Sequence, residues 1–287
     1  MKDSNKSVVI TGASTGIGRA CTLHMDRLGW RVFAGIRNES DAAWLRKECS
    51  PLLSTLFLDV TNLESVEAAA QVVDEAVGES GLTGLINNAG IPYGGPVEFL
   101  DLDKVRALFE VNFFGVISVT QAFLPLLRLG RGRILNVSSI NGLISAPFIS
   151  PYSSGKFALE ALSDSMRIEL HPWGIDVALL EPGAIATPIW DKGADVLKSL
   201  LEQTPPKKFR LYGTVVARLE GLFRQHGIPP GEVAKAAAHA LTSHRPKTRY
   251  VIGPDAVLIF FLKHLPDRLR DRIILSQLPA WGGVNDD

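Results

Sequence analysis

The sequence is poor in cysteine and has no surplus charge of either sign. Cys21 and Cys49 are its two cysteines in 287 residues. They are too few for a disulfide framework and fit no zinc spacing, so they read as reduced thiols of an intracellular chain. Thirty Lys and Arg balance thirty Asp and Glu, which argues against a nucleic-acid protein, whose affinity comes largely from neutralising phosphates. The six histidines form no metal-like pair: His239 and His244 are five apart, a poor helical spacing for shared ligation, and no metal is expected. Long apolar runs are missing as well. Val8–Ile10, behind a short polar N-terminus, is too brief for a signal peptide. The strongest late run, Ala256–Leu262, falls well short of the ~20 residues that span a bilayer. The expectation is a cytoplasmic chain with no transmembrane segment.

What is present is an ordinary globular composition, with 46% hydrophobic and 21% charged residues, and enough length to bury a large core. Apolar strands alternate with helical patterns. Strands are expected at Val8–Thr11, Arg31–Ile36, Thr55–Asp59, Gly84–Asn87, Arg133–Ser138, Ile175–Leu180 and Thr248–Ile252. Helices are expected at Ser14–Leu28, Ala42–Cys49, Glu64–Val77, Asp103–Leu129 (long and bent), Ser153–Leu170 and Glu232–Thr242, with a helical tail at Ala256–Leu275 interrupted by Pro266. This alternation predicts an α/β fold, a doubly wound parallel sheet covered on both faces. Between Pro182 and Pro230 the regularity weakens, and so long an excursion reads as a binding region.

Thr11-Gly12-Ala13-Ser14-Thr15-Gly16-Ile17-Gly18 lies between the first strand and the first helix. Its three glycines allow a tight turn and close backbone approach, and a helix N-terminus there can hold a pyrophosphate. The chain therefore reads as one Rossmann-type domain over 1–287. Its parts are a dinucleotide-binding core at 5–182, a substrate-binding excursion at 183–230, and a final helix, strand and tail at 231–287. The same turn contains Gly12-Ala13-Ser14-Thr15-Gly16, which matches a hydrolase nucleophile elbow. Only thirteen residues precede Ser14, too few to supply the oxyanion N–H such a site takes from an earlier loop. An acid at the end of the second strand would grip a ribose 2′-OH, whereas an Arg accommodates a 2′-phosphate. Gly35-Ile36-Arg37 ends that strand, so Arg37 favours NADP(H), with NAD(H) as the alternative. Asp59, ending the third strand, is placed either to meet the adenine or to cap the helix that follows.

Tyr152 and Lys156 are four apart at the start of a helix, on one face. A phenol is too weakly acidic to serve as a base at neutral pH, and a neighbouring cation lowers its pKa. Such a pair can pass a proton to or from an alcohol or carbonyl oxygen. Ser138-Ser139 and Asn87-Asn88-Ala89-Gly90 end the fifth and fourth strands at the edge where open α/β sheets bind ligands. Asn112 is a polar amide among apolar neighbours, which either satisfies backbone groups or holds a water.

These motifs together, with Pro182-Gly183-x-x-x-Thr187, resemble the short-chain dehydrogenase/reductase family over residues 8 to about 190, in its hydroxysteroid and retinol dehydrogenase-like branch. The resemblance implies a catalytic set of Asn112, Ser139, Tyr152 and Lys156. Tyr152 would be the acid/base. Lys156 would lower its pKa and hold the nicotinamide ribose. Ser139, thirteen residues before Tyr152 and so preferred over Ser138, would orient the substrate oxygen. Asn112 would hold a water linking Lys156 to solvent. The implied cofactor site is Gly12, Ser14, Thr15, Gly16, Ile17, Gly18, Arg37, Asp59, Val60, Asn88, Ala89, Gly90, Tyr152 and Lys156, with Pro182, Gly183, Ile185 and Thr187 at the carboxamide. Gly155 departs from the family pattern by removing a side chain inside the helix.

Substrate contacts are expected from Tyr93, Ser139, Phe148, Ile149, Tyr152 and Trp190, in loops that also carry Ile91, Pro92, Leu143, Pro147 and Ile189. Most of these are apolar, and no Arg or Lys stands among them. That suggests a lipophilic alcohol, ketone or aldehyde of steroid, retinoid or long-chain type. The alternatives are a non-catalytic dinucleotide-sensing regulator and an epimerase or dehydratase that reuses the Tyr-Lys pair. The family resemblance also implies a homodimer or homotetramer through the helices from Asp103 and around Tyr152, along a stripe of Ala107, Val111, Phe114, Ser118 and Phe123. The apolar tail is expected to be buried against its own domain or a second subunit, with a membrane surface as the alternative.

Overall fold

Short runs of β-branched and aliphatic residues form seven strands, and the central ones are hidden from water on both faces. In the computed structural model, which describes residues 6–202, Tyr212 and residues 227–278, they are β1 (Ser7–Ile10), β2 (Arg31–Ile36), β3 (Leu53–Phe57), β4 (Gly84–Asn87), β5 (Arg133–Val137), β6 (Asp176–Pro182) and β7 (Arg249–Ile252). They form one parallel sheet in the order β3-β2-β1-β4-β5-β6-β7. Parallel neighbours require crossovers, which here are helices on both faces. These are α1 (Gly16–Arg27), α2 (Glu39–Glu48), α3 (Leu63–Val77), α4 (Leu102–Phe109), α5 (Gly115–Gly130), α6 (Ser150–Glu169), α7 (Ile189–Glu202) and α8 (Pro230–Thr242), with α9 (Pro254–Leu262) and α10 (Asp267–Ser276) closing the described chain.

The two-residue period of a strand divides the core in two. Val8 and Ile10 of β1 pack with Cys21 and Met25 of α1 and Val233, Ala237 and Leu241 of α8. Val9, between them, faces the other way, into a layer with Val66 and Val73 of α3 and Val119, Phe123 and Leu127 of α5. Strand order reverses between β1 and β4, and there the carboxyl ends of the strands splay into a crevice.

The long helix expected from Asp103 runs continuously over Leu102–Gly130, with a π-helical turn at Glu110–Phe114 joining α4 and α5. By length and composition Leu102–Gly130 could cross a membrane, yet Val119, Phe123 and Leu127 are fully buried against the sheet. In the excursion, α7 is the described helix, and Ile185 bridges Ile228. Residues 203–211 and 213–226 of the excursion lie outside the described residues.

In the apolar tail, Ala256 is buried and Ile259, Phe260 and Leu262 are half-buried, while Leu258 is 61% and Phe261 65% exposed. One side of α9 thus packs on its own domain and the other is open.

Candidate active site

The turn after β1 is shaped by contacts that only glycine permits. Gly12 has φ +62°, and a Cβ there would lie 2.9 Å from the Ala89 Cα. A Cβ on Gly18 would strike the Gly12 carbonyl oxygen and the Asn88 amide. Asn88 braces this turn: its Nδ2 donates to the carbonyls of Thr11 (2.9 Å) and Gly12 (3.0 Å). Thr11 Oγ1 in return accepts from the N–H groups of Asn88 and Ala89 at 2.9 and 3.0 Å. Asn88 thus holds the loop in shape, and it also borders the cavity. Thr15, the residue before α1, makes no side-chain cap, and the first turn carries no acid. The leading N–H groups are therefore open to an anion, as a dinucleotide pyrophosphate requires.

At the far end of the crevice Arg37 is exposed and lines the cavity with Asp59 and Val60. Asp59 is not the helix cap: Asn62 takes that place, accepting from the Ser65 N–H at 2.9 Å. Burial works to raise the Asp59 pKa. Hydrogen bonds from Thr61 and the charge of Arg37 outweigh it and hold the carboxyl below its usual range. The carboxylate is thus ionised and fixed by Thr61 at 3.0 and 2.8 Å.

The third group of residues meets where β5 and α6 approach. Ser139 is buried, and its Oγ accepts from the Asn141 N–H at 3.1 Å, which leaves its own hydrogen free to donate. Tyr152 is half-buried, with one side on the cavity. Burial pushes its phenol up to about 12, and the neighbouring Ser139 hydroxyl acts the other way. Lys156 lies one helical turn further along α6. Its Nζ is turned to the Val137 carbonyl, 2.7 Å away, and stands 5.6 Å from the Tyr152 ring centre. Burial pushes Lys156 itself down to about 8, and Glu160 opposes that.

Asn112 satisfies backbone groups, one of its two expected parts. It sits fully buried in the π turn. Oδ1 accepts from the Ile91 N–H (2.8 Å) and Nδ2 donates to its carbonyl (3.0 Å). Each of the two atoms keeps one further hydrogen-bonding position. Gly155 allows α6 to approach α4: a Cβ there would lie 3.2 Å from Leu108.

One cavity of about 700 Å³ joins all three regions. It is bordered by every expected site residue except Gly18 and Asn112, which shape its walls from behind. No histidine borders it among the described residues. The cradle glycines, the uncapped helix start and the two ends of the cavity fit a nicotinamide dinucleotide.

Comparison with known proteins decides the family. A short chain dehydrogenase model matches residues 6–196. The chain belongs to the short-chain dehydrogenase/reductase family. It is an NAD(P)-dependent oxidoreductase. It is 39% identical to a bovine (Bos taurus) protein named 17-beta-hydroxysteroid dehydrogenase type 6, over 96% of this chain and 89% of that one. It is 38% identical to Retinol dehydrogenase 7 of Rattus norvegicus (98% and 89%) and 34% identical to an NADPH-dependent 3-dehydrocapnine reductase of Ornithobacterium rhinotracheale (94% and 96%). Among solved structures, a short-chain dehydrogenase from Streptomyces avermitilis superposes with TM-score 0.80 at 30% identity, covering 96% and 97% of the two chains. One from Burkholderia cenocepacia, in complex with NADP, gives 0.73 at 27% (95% and 99%). One from Burkholderia phymatum, in complex with NAD, gives 0.77 at 25% (98% and 98%).

In this dehydrogenase the substrate end of the cavity differs in detail from the expected set. Tyr93 lines it, but its hydroxyl is engaged, accepting from the Asp101 N–H at 2.8 Å. Trp190 Nε1 donates to the Ile185 carbonyl at 2.7 Å, so both residues present ring rather than polar atom. Phe148 has φ +67°, an uncommon backbone for an aromatic residue, and its carbonyl accepts from Gly95 N–H at 2.6 Å. The loops after β4 and β5 are tied together by that bond. Leu143 and Pro147 do not reach the cavity, whereas Lys192 of α7 does, at its exposed rim.

Asp255 is the residue that sequence reasoning missed. Its Oδ2 accepts from the Ala184 N–H at 2.6 Å, and a Cβ on Gly183 would collide with it. One carboxylate from α9 thus pins the loop after β6. Asp255→Ala is expected to raise KM for the nicotinamide cofactor severalfold with a smaller change in kcat, because the loop loses a charge-assisted hydrogen bond. Asp255→Asn, which keeps an acceptor, should restore most of it. Steady-state titration of cofactor checks this, and equal KM values in all three proteins would refute it.

Proposed function

We propose that this protein is an NADP(H)-preferring enzyme that interconverts a lipophilic secondary alcohol and its ketone, or a primary alcohol and its aldehyde. The observation that carries this reading is the Tyr152 phenol beside Ser139 on the wall of a cavity whose other lining is mostly apolar. When bound, the reduced nicotinamide supplies the hydride. The phenol holds its proton at neutral pH because burial has raised its pKa, so Tyr152 can give that proton to the oxygen of a carbonyl as the carbinol forms. Ser139 has its hydroxyl hydrogen free and orients the same oxygen. Lys156 spends one of three N–H donors on Val137; the others remain for a ribose, and its charge favours the phenolate left behind. In oxidation the same groups run in reverse.

The apolar wall of Ile91, Phe148, Ile149 and Trp190 supports a steroid-, retinoid- or long-chain-like substrate, and the names of the relatives point the same way. A turnover screen of NADPH and NADH against lipophilic ketones and aldehydes tests the reading. Turnover confined to small hydrophilic sugars, or none with any carbonyl, would count against it. The presence of Ser139, Tyr152 and Lys156 around one cavity disfavours the alternative of a regulator that only senses dinucleotide.

Arg37 supports the NADP(H) preference, as does the relative whose name states NADPH dependence. We also propose a homodimer. Of the expected stripe, Ala107 and Phe114 are exposed, Val111 and Ser118 half-buried, and Phe123 turned inward. With Phe157 of α6, 45% exposed, the outward members make an apolar strip suited to a second copy. Light scattering at micromolar concentration should give at least twice the chain mass, and a monomer would end this reading.

A further inference from the structure

Beneath the reactive face of α6 lies a buried ionic cluster that the chemistry above does not use. Tyr152, Lys156 and Glu160 follow at four-residue intervals, so they share one stripe of the helix. Among the described residues the buried charged side chains are Lys156, Glu160 and Glu181, at 5%, 7% and 0% exposure. Both carboxylates converge on Arg249 of β7. Its Nη1 contacts Glu160 Oε2 and lies 2.6 Å from Glu181 Oε1, while Nη2 lies 2.8 Å from Asp164 Oδ2. Asp164, nearer the surface, also holds Arg167 at 2.8 Å.

Two deeply buried carboxylates on one guanidinium leave a negative charge over, and the buried cation beside them is Lys156. Three oxygens of the cluster are sealed from water without a well-formed hydrogen bond: Glu160 Oε1, Glu181 Oε2 and Ser138 Oγ. Ser138 lies close enough to Glu160 to pull its pKa down all the same. Gly142 makes that approach possible, since a Cβ there would sit 2.9 Å from Ser138 Oγ and 3.0 Å from Glu160 Cγ. Buried polar atoms left this way are costly unless a charge or a proton is there to be managed.

We propose that Glu160 is a positioning residue for the reaction: with Glu181 and Arg249 it forms the buried countercharge that keeps Lys156 protonated beside Tyr152. This rests on the reading of Tyr152 and Lys156 as the reacting pair. Burial lowers the Lys156 pKa and Glu160 raises it, so losing the carboxylate leaves burial unopposed. Glu160 in turn is held above the usual carboxylate range by burial, with Glu181 pushing the same way and Ser138 and Arg249 opposing. The charged groups facing Glu160 are Lys156 and Asp164 on its own helix, Glu181 on β6 and Arg249 on β7.

The test reads Lys156 directly. In protein labelled with 13C-lysine, without added cofactor, the Lys156 Cε signal (identified by its loss in Lys156→Met) is followed against pH. Glu160→Gln is expected to move its midpoint down by about one pH unit, which is about tenfold in the protonation equilibrium. The kcat/KM of that variant should stay near wild type at mildly acidic pH and fall about tenfold at alkaline pH, while Glu160→Asp keeps the wild-type profile. An unshifted Lys156 midpoint, with kcat/KM lowered by one factor at every pH, would make Glu160 merely structural and overturn the proposal. If Glu160→Gln does not fold, Glu181→Gln takes its place: a smaller downward shift supports the proposal and no shift overturns it. A Tyr152→Phe enzyme with near wild-type turnover would instead fail the underlying reading, which the Lys156 signal does not depend on.

Discussion

Tyr152→Phe is expected to fold, to bind NADPH as the wild type does, and to lose nearly all turnover. The ring still fills its place on the cavity wall, so packing is preserved and only the hydroxyl is gone. Proton transfer by a positioned side chain contributes about 10²–10⁴-fold to such reactions, and here no second group is placed to supply it. Ser139 is a weak acid whose oxygen is already engaged by Asn141. Lys156 points to Val137 and not across the cavity mouth. Ligand fluorescence and steady-state rates measured on one preparation separate binding from chemistry. A variant that keeps more than about a tenth of wild-type turnover would remove Tyr152 from the acid/base role.

Replacing Ile36 by Asp together with Arg37→Ile is expected to reverse the cofactor preference. Ile36 and Arg37 both border the adenosine end of the cavity. Arg37 offers a planar fork suited to a 2′-phosphate, and a charge-assisted hydrogen bond of about 1.5–3 kcal/mol corresponds to roughly 10- to 150-fold preference. Arg37 also feels the Asp59 carboxylate, which tempers the positive field there and places the expectation toward the lower end of that range. The new Asp would repel a 2′-phosphate and accept from a 2′-hydroxyl. The ratio of kcat/KM for NADPH and NADH decides it. Wild-type preference for NADH, or an unchanged ratio in the double variant, would show that Arg37 does not set the choice.

The parts of this molecule legible in its sequence are those where one local pattern has one physical meaning. Arg31–Ile36 and Gly84–Asn87 coincide with β2 and β4, because continuous apolar runs bounded by turn residues leave little freedom of register. The edge strand β3 starts two residues earlier than expected and releases Asp59 into the crevice, since an edge with one partner is less strictly patterned. The glycine turn and the Tyr-Lys pair were readable because their spacing carries the chemistry. The tail is ambiguous in sequence, because an apolar helix looks alike whether it is core or awaits a partner. Asn112 satisfies backbone groups, as its burial among apolar neighbours suggests, but its partner Ile91 lies 21 positions away. Asp255 meets Ala184 across 71 positions, and Arg249 meets Glu160 across 89 and Glu181 across 68. Such contacts are made by sheet topology, and no local period announces them.

The account rests on hydride arriving at a carbonyl carbon while Tyr152 protonates its oxygen. The most direct measurement uses NADPH deuterated at the transferring C4 position, a lipophilic ketone that turns over, and mass spectrometry of the product alcohol. One deuterium on the carbinol carbon of the wild-type product, with essentially no product from Tyr152→Phe, is the result expected. Product without the label, or equal labelled product from Tyr152→Phe, would contradict it.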